Sequence, residues 1–190
     1  MKNAIAGTTL AILAGATLSG CGRSEAATPG VSPEARVARG KYLVNSIGCS
    51  DCHTPLRMGP QGPERDPERF LAGHPAEVVL PPPPALDSAW LMTANATATA
   101  FAGPWGISYA MNLTPDVNTG IGIWTEDIFM RAIREGRHWG QSRPIMPPMP
   151  WEFFRNLTDE DLRSIYAYLR TIKPVVNRVP EYQPPAGKDE

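Results

Sequence analysis

Apolar positions along the chain fall into three stretches with helical spacing, separated by one long stretch without any. The first stretch follows Ser32-Pro33-Glu34-Ala35. In RVARGKYLVNSIG, Val37, Leu43, Val44 and Ile47 recur at near-helical intervals, so one face is apolar. Ser32 is a good N-cap, Pro33 suits the first helical position, and Gly48 ends the run. The second stretch runs from Thr125 to Gly136, with a cap, Glu126 and Asp127 in the first turn, and bases later, in agreement with the helix dipole. Phe129 and Ile133 are its core positions. The third is LTDEDLRSIYAYLRTIKP, where Thr158 caps, Asp161 stands three residues on as in a capping box, and Pro174 closes the helix. Leu162, Ile165, Tyr166 and Leu169 form its buried stripe.

Residues 57–104, between the first two of these helices, read as a loop-rich insertion. They include VLPPPPALDSAW and the low-complexity TANATATAFAG, with Pro81 to Pro84 expected in polyproline II and no strand pattern in evidence. The chain has 21 Pro and 17 Gly among 190 residues, so turns and extended loop must fill much of it. No internal repeat is visible. The pattern predicts a small all-α domain over residues 35–173 with one large loop insertion, followed by an extended, Pro-rich tail over 174–190.

The N-terminus changes the picture by setting a compartment. Residues 1–20, MKNAIAGTTLAILAGATLSG, carry one charge at Lys2 and then an apolar run of small residues. A membrane span needs about 20 strongly apolar residues, and this run is too short and too rich in Ala, Gly and Thr. It reads as a secretory signal peptide, with an uncleaved membrane helix as the alternative. Leu18-Ser19-Gly20-Cys21 resembles the lipobox of bacterial lipoproteins, which implies cleavage before Cys21 and lipidation of that cysteine. Residues 21–34 have the composition of a flexible tether. The expected location is therefore the bacterial periplasm, with the chain lipid-anchored to a membrane. Without Lys2, 17 basic side chains face 19 acidic ones, a net charge of −2, so no basic surface is available for nucleic acid.

Three cysteines are present, and with Cys21 assigned to lipid only Cys49 and Cys52 remain. One bridge between residues so close together closes no useful loop, which excludes a disulfide framework. Gly48-Cys49-Ser50-Asp51-Cys52-His53 leaves three chemistries: a redox dithiol, half a zinc site, or a haem attachment point. A thioredoxin-like dithiol calls for a βαβ context that is absent. A zinc site would recruit His74 or His138, whose spacing matches no zinc pattern. In a helical turn, Cys49 and Cys52 share a face and His53 lies one turn on from Cys49. That spacing suits two thioether bonds to one haem c, with imidazole reaching the iron from the same side, and C-x-x-C-H is the c-type attachment signature. A sixth ligand is offered by Met146 or Met149 in the stiff, Pro-rich stretch RPIMPPMPWEFF.

RGKYLV before CSDCH, then GISYAMNLTPDVNTGIGIWTEDIFMRAIREGRH, then MPWEFFRNLTDEDLRSIYAYLR together resemble the class I c-type cytochromes, from about Ala35 to Ile172. The likeness is to the monohaem domains of cytochrome subunits in membrane-bound bacterial dehydrogenases. It implies first and last helices that cross, with Gly40 admitting Tyr166 or Tyr168, and a haem in a crevice. Cys49 and Cys52 become the thioether cysteines and His53 the proximal iron ligand. Met149, eight residues before Leu157, fits the family's distal-ligand spacing better than Met146, eleven before. The implied function is a membrane-tethered carrier of single electrons, not an enzyme, between protein partners such as a dehydrogenase donor and an oxidase or cytochrome acceptor. The alternatives are a subunit bound permanently to a dehydrogenase, and a haem enzyme with a labile sixth ligand. The segment from Arg57 to Phe101 departs from the family by exceeding what a minimal cytochrome needs.

Weaker candidates surround this set. Pro60 or Pro63 would supply the carbonyl that accepts the His53 ring N–H. Trp105, Tyr109, Asn112, Trp124 and Arg137 could reach a haem propionate, though packing suits each as well. His74 and His138 are rival axial ligands.

Overall fold

The computed structural model describes residues 31–185. The signal at 1–20, the lipidation candidate Cys21, the tether as far as residue 30, and residues 186–190 of the tail lie outside the described residues.

The helix signals act where they stand in the sequence. Helix α1 covers Pro33–Ser46, and the Ser32 hydroxyl accepts the Ala35 N–H at 3.2 Å. One short helix, α2, covers Cys49–His53 directly after Gly48. Helix α3 covers Glu126–Glu135, capped by Thr125 and ended by Gly136. A single turn, α4, spans Trp151–Phe154, and α5 spans Asp159–Leu169. Thr158 accepts the Asp161 N–H at 3.1 Å, but the Asp161 carboxylate does not complete a reciprocal box. It accepts instead from Arg39 of α1 at 2.8 Å, which braces the two helices. The α5 helix stops at Leu169, short of Pro174, and Arg170 turns its guanidinium to the Gly122 carbonyl at 2.6 Å.

Helices α1 and α5 meet at Gly40. A Cβ there would lie 1.8 Å from the Ser164 carbonyl oxygen and 2.8 Å from Tyr168 Cβ, so only glycine permits this approach. Tyr166 is used elsewhere, its hydroxyl donating to the Trp124 carbonyl at 2.7 Å. Behind the crossing lies one buried apolar cluster. It joins Leu43 and Val44 of α1, Phe129 and Ile133 of α3, and Leu162 and Leu169 of α5 to Leu71 and Ile121 from the loops. Removing these side chains from water is the main favourable term in holding the helices together.

The expected all-α class is overturned by two small sheets. Strand β1 (Leu56–Gly59) pairs antiparallel with β2 (Gly62–Arg65), and β3 (Thr93–Ala94), β4 (Ala100–Gly103) and β5 (Gly106–Tyr109) form a three-stranded meander. Both full hairpins turn on the same tetrapeptide pattern, Gly59-Pro60-Gln61-Gly62 and Gly103-Pro104-Trp105-Gly106, with the two glycines of each paired. Strands of two to four residues, several of them Gly, Pro or Ala, are too short to show alternation. Their ladders come from tight turns and backbone pairing. Most of the rest of the 57–104 segment is irregular, and Pro81 to Pro84 are exposed.

The segment after Pro174 is extended and tied down. Gln183 pairs with Ile107 of β5, and Asn177 is buried. Among the described residues no helix is long and apolar enough to cross a membrane.

Candidate cofactor site

Helix α2 brings Cys49, Cys52 and His53 into a single turn. Both thiols are free and half-buried, and Cys49 packs against the central apolar cluster. Burial pushes the Cys49 thiol up to about 11, and burial followed by Asp51 raises Cys52 as well. A redox dithiol needs the opposite, a cysteine whose thiolate is favoured at neutral pH. Among the described residues no three His, Cys, Asp or Glu side chains converge into a metal-holding group.

His53 is buried, and its Nδ1 lies 2.8 Å from the Met111 carbonyl oxygen. A carbonyl can only accept, so Nδ1 carries the proton and the lone pair is on Nε2. Burial holds the imidazole pKa below its ordinary value, with the Met111 carbonyl pulling the other way. The result is a neutral ring of one tautomer whose Nε2 lone pair is left available to a metal. The carbonyl expected from Pro60 or Pro63 is therefore supplied by Met111, far along the chain.

Met111 is held by the segments around it. Gly73 donates its N–H to the His53 carbonyl at 2.8 Å, while His74 donates to Ala110 and Leu113 to Leu71 at 2.9 Å each. Leu71 is fully buried at φ 57, a left-handed conformation that is costly for its side-chain type. The Thr54 hydroxyl accepts its N–H at 2.9 Å. Next to Met111, the buried Asn112 amide donates to the Val175 carbonyl at 2.8 Å and accepts from both donors of Thr114. From the tail, Asn177 donates to the Ala72 and His74 carbonyls at 2.7 and 2.9 Å and accepts the Ala76 N–H. Asn112, a candidate for a haem propionate, spends its side chain on Val175 and Thr114 instead, and Thr54 and Asn177 carried no site signal in the sequence.

The loop between α3 and α4 carries both candidate methionines. Its entry is fixed by Ile145, which donates to the Gly136 carbonyl at 2.8 Å, and its exit by Trp151, which donates to Met149 at 2.9 Å. Ser108 of β5 donates its hydroxyl to the Pro147 carbonyl. Met146 and Met149 are both half-buried, but Met149 packs against the central cluster and Met146 does not. Met111, Cys49 and Met149 thus border the same apolar body.

The rival candidates are engaged elsewhere. His74 is fully buried, with Nδ1 on the Thr99 hydroxyl at 2.9 Å and Nε2 on the Val78 carbonyl at 3.1 Å. His138 stacks edge-on against Trp124. The Tyr109 hydroxyl accepts from Gln183 at 2.9 Å, Arg137 donates to the Ser142 carbonyl at 2.9 Å, and Trp124 is buried. Trp105 has no partner for its indole N–H among the described residues.

Comparison with known proteins agrees with this geometry. Residues 37–173 match the family model for cytochrome c. The chain is 31% identical over 96% of its length to a fructose dehydrogenase cytochrome subunit from Gluconobacter japonicus, covering 30% of that protein. It is 29% identical over 78% of its length to the cytochrome c subunit of a quinone alcohol dehydrogenase from Gluconobacter oxydans, covering 24% of it. It is also 29% identical over 75% of its length to a gluconate 2-dehydrogenase cytochrome c subunit from Pantoea cypripedii, again covering 24%. The chain thus spans less than a third of the length of these relatives. A haem c bound covalently at a Cys-x-x-Cys-His motif is what the family implies, the Cys49–His53 turn supplies that motif, and the chain belongs to the cytochrome c family.

Proposed function

We propose that the protein is a membrane-tethered monohaem cytochrome that carries single electrons between redox proteins outside the cytoplasm. The observation that carries this reading is the His53 ring, held in one tautomer by Met111 with its Nε2 left free, in the same short helix as two free thiols. Cys49 and Cys52 would form the thioether bonds, His53 would be the proximal iron ligand and Met149 the distal one. When bound, the haem supplies reversible one-electron chemistry at iron. The protein's own part is to orient the imidazole, present the thioether and keep water out with the central cluster.

A distal methionine closes the iron to substrates, which favours a carrier over an enzyme. The packing of Met149 against the cluster supports Met149 over Met146 for that role. The names of the relatives support a place beside a dehydrogenase, either as a shuttling acceptor or as a bound subunit. A lipid on Cys21 and the tether that follows would raise the local concentration at membrane-bound partners.

Two measurements test the reading. An equilibrium redox titration should follow a reversible one-electron curve for a haem that stays on the polypeptide through a denaturing gel. Loss of haem on denaturation, or a two-electron curve, contradicts it. Full-length protein should fractionate with membranes and Cys21→Ser should be released, whereas unchanged fractionation removes the lipid anchor.

A further inference from the structure

Strand β5 carries a second element of the site. We infer that Ser108 is a positioning residue for Met149, clasping the distal loop through the carbonyl of Pro147. The inference rests on the reading of Met149 as the distal iron ligand.

Residues 146–150 include Pro147, Pro148 and Pro150, none of which has an N–H to donate. The Met149 N–H is spent inside the loop, on the Met146 carbonyl at 3.3 Å. Apart from the Met146 N–H, carbonyl oxygens are therefore the polar handles by which the rest of the protein can hold this stretch. Among the described residues, the Ser108 hydroxyl makes the one side-chain hydrogen bond that reaches it from outside. Ser108 is 7% exposed, so the donor side of the bond is buried, while Pro147 on the acceptor side is exposed.

The donor stands on a fixed base. On one side of β5, Ser108 is in register with Phe101 of β4. On the other, Ile107 exchanges both backbone hydrogen bonds with Gln183 of the tail, at 2.8 and 3.0 Å. Three residues beyond Ser108, the same backbone offers the Met111 carbonyl to His53. One run of four residues thus holds the proximal histidine from one end and the methionine loop from the other.

The consequence is an equilibrium between a closed loop, with Met149 in place, and an open one. An added ligand such as imidazole competes for the iron only in the open state, so its apparent affinity scales with the open fraction. Deleting this one part-buried hydrogen bond should raise that fraction, and with it the imidazole affinity of the oxidised protein, by about three- to tenfold.

The test is imidazole titration of the oxidised, haem-loaded protein. Ser108→Ala should bind about three- to tenfold more tightly than wild type, and Ser108→Cys, a weaker donor of similar shape, should fall between. Ser164→Ala, which removes a buried hydroxyl with no partner at the helix crossing, should titrate as wild type. The role of Ser108 is overturned if Ser108→Ala and Ser108→Cys both titrate as wild type, or if Ser164→Ala tightens equally. The weak red absorption band of an Fe–Met bond separates the two readings. If wild type lacks it, or Met149→Ala keeps it, the assignment of Met149 falls and this proposal with it. If the band behaves and only the Ser108 affinities fail to move, Met149 stands and Ser108 falls alone.

Discussion

His53 gives its Nδ1 proton to the carbonyl of Met111, 58 residues further along the chain, at 2.8 Å. That bond determines which ring nitrogen is left available to a metal, and it would make the imidazole a stronger donor to an iron held there. Its geometry depends on the backbone of residues 110–111, which is set by close packing and by buried amides.

Gly73 is the closest of these contacts. A Cβ on it would lie 2.4 Å from the Ala110 carbonyl oxygen and 2.6 Å from the Met111 carbonyl carbon, and its φ is +78. Gly73→Ala should therefore destabilise the haem-loaded protein by about 2–4 kcal/mol in urea unfolding. The midpoint potential should rise, because an imidazole with a weaker hydrogen bond donates less to iron. A variant with wild-type unfolding would show that the 71–74 segment yields freely.

Asn177 holds the same region from the tail. With Ala in its place, the Ala72 and His74 carbonyls and the Ala76 N–H lose their partner in the interior. Asn177→Ala is expected to cost about 2–4 kcal/mol by denaturant unfolding. Asn177→Asp, which keeps the acceptor but loses both donors, should recover little of it. Full recovery by Asp would mean that the two donated bonds contribute nothing.

The helix crossing gives a steric contrast. Gly40→Ala places a methyl 1.8 Å from a backbone oxygen, which no rotamer can relieve, and should lower stability by about 3 kcal/mol. Ser164→Ala removes a buried hydroxyl without a partner and should be neutral or mildly stabilising. Thermal unfolding of the pair checks both, and an undisturbed Gly40→Ala would mean that α1 and α5 do not meet there.

Acid should weaken the fold through His74. Burial lowers its pKa from the ordinary 6.5, against smaller opposing pulls from the Val78 carbonyl and Glu77. The unfolded chain then binds the proton first as pH falls. This stability is whole above the unfolded pKa and is lost below it, as pH drops towards the folded value. His138, lowered by burial and by Arg143, acts in the same direction. Urea midpoints should fall between about pH 7 and pH 5, and His74→Gln should flatten that fall without abolishing it. Parallel falls in the two proteins would contradict the role of His74.

What the sequence disclosed was local. Ser32, Thr125 and Thr158 cap the three main helices because a cap needs only a hydroxyl two or three residues before an N–H. The Cys49–His53 turn was legible for the same reason. The Met111 carbonyl and the Ser108 hydroxyl were not, since a backbone oxygen has no sequence signature and a lone serine in a strand has many uses. The sheets were missed because their strands are too short for a period of two, although the repeated Gly-Pro-X-Gly marks both hairpins. Pro174 marked a stop for α5 that comes earlier, at Leu169, where the Arg170 N–H already caps back to Tyr166.

The central claim is that Cys49, Cys52 and His53 hold one haem c whose sixth position is filled by Met149. Its most direct test is the optical spectrum of the oxidised, haem-loaded protein, compared between wild type, Met149→Ala and Met146→Ala. The account predicts the weak red band of an Fe–Met bond in wild type and in Met146→Ala, and its loss in Met149→Ala. A wild-type spectrum without that band, or a Met149→Ala spectrum that retains it, would contradict the account.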